Sequence, residues 1–186
     1  MVSKQFIVIP ALLLLFCLSS CIFNGRETVE PKEGEPTKYY LHDNDELSLE
    51  PGPLGSWNYI TAYIYPSGSS TSKSWRTYLT KNISGPSFGY DLTVRSNGDV
   101  KLRIELILEH EDVESILVAK DFNIPGTEEG HAIGLKDEAE WTNPKSGKGD
   151  FLIFRMKHIS GTERIEIYFD GGLGYAGNTY ITVPLL

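Results

Sequence analysis

The chain holds 186 residues, with 17 Lys and Arg against 25 Asp and Glu and a formal net charge of −8. A surface that acidic argues against nucleic acid, which needs cations to neutralise phosphates, and against docking on anionic headgroups by charge alone. Two cysteines, Cys17 and Cys21, leave no material for zinc ribbons, Cys–His nucleophiles or redox pairs.

Met1-Val2-Ser3-Lys4 supplies one positive charge, and Phe6 to Leu18 is an apolar run broken only by Pro10. A basic start, an apolar core and small residues before a cleavage point make a secretory signal peptide. The run is short for a membrane-spanning helix, which needs about 20 apolar residues. Leu18-Ser19-Ser20-Cys21 resembles the lipobox of lipoprotein signals, an apolar residue and two small ones before Cys. The resemblance implies cleavage before Cys21 and a diacylglycerol thioether on its sulfur. Residues 1–20 would then be the signal peptide. The rest would stand on the exported side of a cell membrane or outer envelope, held there by lipid on Cys21.

Residues 21–38 read as the tether. Gly25, Pro31, Gly34 and Pro36 are interspersed with Arg26, Glu27, Glu30, Lys32, Glu33 and Glu35, with no apolar periodicity and few large side chains to bury. About seventeen such residues reach at most about 60 Å when stretched.

Residues 39–186 change character. Short runs rich in Ile, Val, Leu, Tyr, Phe and Thr alternate with Gly, Pro, Asn, Asp and Ser clusters. The pattern predicts strands near Tyr39–His42, Asn58–Tyr65, Trp75–Thr80, Gly89–Arg95, Val100–Glu109, Ser115–Asp121, Ala139–Thr142, Asp150–His158, Glu163–Phe169 and Thr179–Pro184. In the fifth of these, Val100, Leu102, Ile104, Leu106 and Leu108 alternate with Lys101, Arg103, Glu105, Ile107 and Glu109, the period of a strand with one buried face. Ile107 breaks the alternation and marks a patch or a second contact on the outer face. Ser96-Asn97-Gly98-Asp99 reads as a hairpin turn pairing Tyr90-Leu92-Val94 with Leu102-Ile104-Leu106. Ile159-Ser160-Gly161-Thr162 reads as a second, joining Asp150–His158 to Glu163–Phe169. Spacing allows a helical turn in Asp112–Lys120, but Ile116-Leu117-Val118 favours a strand. Ten short strands with frequent turns predict an all-β fold, an antiparallel β-sandwich. Gly149 to Phe154, with Tyr180 to Pro184, resembles the closing strands of jelly-roll domains on secreted proteins. Tyr39–His42 is expected beside Tyr180–Val183, each covering the other's open edge.

Residues with chemistry are sparse. No G-x-S-x-G elbow occurs, so the serines of Pro66–Ser72 read as a polar loop. His42, His110, His131 and His158 lack the spacing that places two rings on one metal, and His110-Glu111-Asp112 reads as a solvated turn. Glu105 and Glu109 share a strand face with their Cα atoms about 13 Å apart, wider than a glycosidase pair. Asp43-Asn44-Asp45-Glu46 begins like an EF-hand, but Ser48 and Leu54 stand where glycine and glutamate are required. A structural Ca²⁺ held through Asp43 and Asp45 stays open, and no other cofactor is implied. Asn82-Ile83-Ser84 is a sequon.

Aromatics are the remaining signal. Strand rings such as Tyr59 and Tyr63 read as core or sheet-face packing. Tyr175 in the glycine-rich 170–178 segment and Trp141 beside Asn143-Pro144 do not. With Trp75, Asp170 and Asn178 they form the expected ligand-binding set, rings for stacking and polar ends for hydroxyls. The function expected is a non-catalytic surface module for carbohydrate, envelope polymer or envelope protein. The alternative is a glycan-cleaving hydrolase or lyase on the same scaffold.

Overall fold

The computed structural model describes residues 36–50, 60–85, 87–127, 133–140, 147–169 and 179–186. The chain divides into two units, Met1–Glu30 and Pro31–Leu186, and every described residue belongs to the second. Its strands are β1 (Thr37–Leu41), β2 (Leu47–Ser48), β3 (Ile60–Ile64), β4 (Ser72–Tyr78), β5 (Ser87–Arg95), β6 (Val100–His110), β7 (Val113–Ile124), β8 (Ile133–Glu140), β9 (Phe151–Ser160), β10 (Ile165–Phe169) and β11 (Tyr180–Val183). No helix occurs among the described residues.

The strands pair antiparallel in two sheets that share one core, which is the expected β-sandwich. Strands β3 to β10 supply four to each sheet, in the orders β3-β10-β5-β8 and β4-β9-β6-β7. That is the eight-stranded jelly roll, in which most connections cross from one sheet to the other. β1 and β11 pair as expected, with Tyr39 opposite Ile181 and Tyr40 opposite Tyr180. β1 starts at Thr37, two residues inside the expected tether.

Both expected hairpins are corrected by this topology. β5 pairs with β8, β10 and β11 but not with β6, so Ser96–Asp99 arches between sheets. Its ends are held by Thr127 N–H donating to Ser96 O at 2.9 Å and Gly126 N–H to Asp99 Oδ1 at 2.9 Å. The 159–162 connection likewise takes β9 in one sheet to β10 in the other. Gly161 needs its glycine, with φ of +109° and a Cβ position 2.7 Å from Asp99 O. The tight turn lies elsewhere. His110 faces Val113, so Glu111 and Asp112 form a two-residue loop with φ of 48° and 63°, the positive pair of a type I′ turn.

Alternation sets the core. Leu102, Ile104 and Leu106 of β6 and Ile165, Ile167 and Phe169 of β10 are buried, facing one another from opposite sheets. Trp75 lies among them at 0% exposure, its ring 5.9 Å from Phe169 and 6.3 Å from Phe154. Its indole N–H donates to His42 O at 2.8 Å, satisfying the one polar atom of the side chain. Ile107 faces outward as expected, at a register shift between β6 and β7, in line with Ile153 and Ile116.

The first sheet forks, and the fork positions the candidate site. β8 runs along one edge of β5 from Ser87 to Val94. The opposite edge is shared end to end, by β11 at Gly89–Asp91 and by β10 at Thr93–Arg95. Thr179 sits in the gap with 1% exposure. Its Oγ1 accepts from Thr93 N–H at 3.3 Å and donates to Tyr168 O.

A candidate functional site on the tyrosine face

Because successive side chains point to opposite faces, the residues between the core positions of this sheet all emerge on its outer surface. On β3 that is Tyr63; on β10, Glu166 and Tyr168; on β11, Tyr180 and Thr182; on β1, Lys38 and Tyr40; on β5, Asp91, Thr93 and Arg95. Tyr65 follows just past β3. Five tyrosines therefore share one face.

They fall in two groups. Tyr63 and Tyr65 are each 41% exposed, with ring centroids 6.4 Å apart and tilted by 39°. The Arg164 guanidinium lies 4.7 Å over the Tyr63 ring. Arg164 also donates to Glu166 Oε1 through Nε at 3.1 Å and Nη2 at 2.9 Å, while Tyr168 Oη donates to Oε2 at 2.7 Å. Arg95 Nη1 stands 3.6 Å from the same carboxylate. Burial pushes the Glu166 pKa up, but the bonds from Tyr168 and Arg164 and the charge of Arg95 outweigh it and leave it below the ordinary value.

In the second group Tyr40 and Tyr180 meet edge to face at 5.8 Å, and Lys38 Nζ lies 4.0 Å from the Tyr180 centroid. Tyr180 Oη donates to Asp91 Oδ2 at 3.2 Å, and Lys136 Nζ approaches the same oxygen at 3.4 Å. Burial first, then the Asp91 charge, raises the Tyr180 pKa, and burial with the Glu166 bond raises that of Tyr168. Both phenols stay protonated and able to donate.

Such a face can stack sugar rings on its apolar areas and bond hydroxyls with fixed acceptors and donors. Each carboxylate oxygen carries two lone pairs, so the partly exposed Asp91 retains acceptor capacity beyond its own partners. The nearly buried Glu166 is taken up by Arg164, Tyr168 and Arg95, which leaves the exposed Arg164 guanidinium as the polar group beside Tyr63.

Among known proteins, no family model and no curated sequence matches this chain. Solved structures do resemble it. An α-amino acid ester hydrolase superposes with a TM-score of 0.61 at 11% identity, over 81% of this chain and 36% of its own. An aminopeptidase from a marine sediment Thaumarchaeota archaeon gives 0.60 at 10%, over 82% and 37%. A CocE/NonD family hydrolase from Staphylococcus aureus gives 0.57 at 11%, over 82% and 36%. What they share is the fold. The chain spans little more than a third of each of those proteins.

The expected site residues fare differently. Trp75 is a correction: fully buried with its N–H turned to His42 O, it presents no ring to a ligand. Trp141, Asp170, Tyr175, Asn178 and the lipidation candidate Cys21 lie outside the described residues. Asp45 is ion-paired with Lys73, and Asn44 Nδ2 donates to Glu46 Oε2 at 2.7 Å. Neither Asp43 nor Asp45 belongs to a group of three acidic, His or Cys side chains able to hold a metal, among the described residues.

The other outer face, on β4-β9-β6-β7, is an ionic lattice. Glu105, at 3% exposure, lies 2.9 Å from Lys157 Nζ and 3.8 Å from Arg155 Nη1. Arg155 pairs in turn with Glu114, Arg103 with Asp121, and Arg76 with Glu109 at 3.2 Å. The cations that face Glu105 and Glu109 come from the neighbouring β9 and from β4. A cleft of about 500 Å³ opens at the end of the sandwich beside Asp99, Lys101, Asn123 and Ser160.

Sequence alone does not reveal the tyrosine face. Arg164, Glu166 and Tyr168 were readable as outward-facing, but nothing in the sequence says that β3, β1 and β11 deliver their own outward tyrosines beside them. Tyr63, expected to pack, is exposed for that reason.

Proposed function

We propose that this chain is an exported lipoprotein, anchored through lipid on Cys21, whose jelly roll binds carbohydrate without cleaving it. The observation that carries the binding half is the pair of exposed rings, Tyr63 and Tyr65, beside the hydrogen-bonded Glu166 cluster. Two large aromatic side chains standing in water on a sheet face cost exposed apolar area that a sugar ring would cover. Arg164, Glu166 and Tyr168 hold one another in fixed positions, so little side-chain entropy is lost when hydroxyls replace water there. The face has nearly balanced charge, with Lys38, Arg95, Lys136 and Arg164 against Asp91, Glu138 and Glu166, which suits a neutral polymer.

The anchor half rests on Leu18-Ser19-Ser20-Cys21 and the acidic residues that follow. A tether of that length would let the jelly roll reach polymer away from the membrane.

Affinity electrophoresis through gels cast with plant, fungal and bacterial envelope polysaccharides tests the reading. Wild type should be retarded by at least one of them, and Tyr63→Ala with Tyr65→Ala should run freely while remaining folded. Equal retardation of wild type and variant would move the site elsewhere. No retardation in any gel would end the carbohydrate reading.

A further inference from the structure

The two tyrosine groups lie in line, and that bears on the shape of the ligand. Along the edge of β5 opposite β8, Tyr180 stands opposite Asp91, Tyr168 opposite Thr93 and Glu166 opposite Arg95. One column further out, Tyr40 stands beside Tyr180, and Tyr63 beside Glu166. From the Asp91 row to the Arg95 row is four residues, about 13 Å, and Tyr65 adds two more, for about 20 Å. The line exists only because β10 and β11 abut end to end on one edge, with Thr179 bonded to both β5 and β10 across the junction.

We propose that the face takes an extended, unbranched stretch of polysaccharide across two linked subsites, Tyr63/Tyr65 and Tyr40/Tyr180, with Tyr168 between them. This rests on the carbohydrate reading above and specifies the ligand class within it. The aromatic rings stand in two adjacent columns, Tyr168 and Tyr180 on β10 and β11 and Tyr63, Tyr65 and Tyr40 one strand further out, so a chain lying along them passes rings over its whole length. No single sugar ring spans the distance. Asp91 at one end offers an acceptor and the exposed Arg164 guanidinium at the other offers donors, so each subsite has a polar group beside its ring pair. Two subsites joined by one ligand gain from effective concentration, and the second contact comes without a second loss of translational freedom. Short oligosaccharides reach one subsite and long ones reach both.

The test is titration calorimetry of the detergent-solubilised chain with unbranched ladders, from disaccharide to octasaccharide, of the β-linked glucose, xylose, mannose and N-acetylglucosamine series. One series should bind with affinity that climbs by about 10²-fold or more with length and then levels off. Tyr180→Ala should flatten that climb, so that octasaccharide and disaccharide bind within a few-fold of one another. Tyr40→Ala, whose ring is an outer member of the same subsite, should do the same and covers the case in which Tyr180→Ala does not fold. Affinity independent of length, or a climb that survives both variants, overturns the two-subsite proposal and leaves the carbohydrate reading standing. No binding at any length in any series overturns both.

Discussion

Thr179→Val is the substitution that most directly probes the fork. It keeps the shape of the side chain and deletes only the hydroxyl. In the native structure Thr179 is 1% exposed, and its hydroxyl accepts from Thr93 N–H and donates to Tyr168 O, so it bonds two backbone groups at the junction. Leaving a buried polar group without a partner costs about 1–3 kcal/mol. Two such groups set an upper bound near 6 kcal/mol, and partial relaxation with the gain of a buried methyl brings the expectation to about 2–4 kcal/mol. In a domain of this size that lowers Tm by about 5–15 °C. Urea unfolding followed by tryptophan fluorescence reports it, since Trp75 is wholly buried. The fork also sets the spacing of Tyr180 and Tyr168, so the variant should bind long glycans more weakly at temperatures where it is fully folded. A change under about 0.5 kcal/mol, within the range of ordinary surface substitutions, would refute the reasoning.

Trp75→Ala should cost about 3–5 kcal/mol, because it empties the space against Phe154 and Phe169 and orphans His42 O; denaturant melts check it. The His110 imidazole, 2.6 Å from Asp150 Oδ1, has its pKa raised, first by that hydrogen bond and then by the Asp150 charge. A raised folded value means the pair stabilises below the ordinary histidine value of about 6.5 and loses that contribution as pH rises through the folded value. NMR titration should therefore place the His110 midpoint above about 6.5, with Asp150→Asn bringing it back down. Replacing Glu111-Asp112 by Asn-Gly should stabilise the β6–β7 turn by about 0.5–1 kcal/mol, since both positions already hold positive φ. Thermal melts would show it as a higher Tm.

The fold class was legible because alternation is a local property. Val100 to Leu108 and Ile165 to Phe169 state their buried faces residue by residue, and the structure buries those faces. Pairing is not local. Asn97-Gly98 carries the strongest hairpin signal in the chain and makes a sheet-crossing arch, while Glu111-Asp112, a poor turn sequence, makes the real two-residue turn. The strand expected at Ala139–Thr142 catches only the end of β8, an edge strand whose Lys136, Asp137 and Glu138 blunt an open edge and mask alternation. The same blindness hid the candidate site. Five tyrosines from β1, the β3 end, β10 and β11 meet on one face through strand order alone. Trp75 lies between the polar Ser74 and Arg76, and only the parity of β4 within its sheet turns it into the core.

Chemical-shift mapping tests the central claim most directly. Amide and tyrosine ring resonances would be followed while a soluble glycan selected by gel retardation is titrated in. The account predicts perturbations confined to the outer face of β1, β3, β10 and β11, strongest at Tyr63, Tyr65, Tyr168 and Tyr180. Perturbations centred instead on the Glu105–Arg155 lattice, on the cleft beside Asp99, or on residues 170–178 would contradict it.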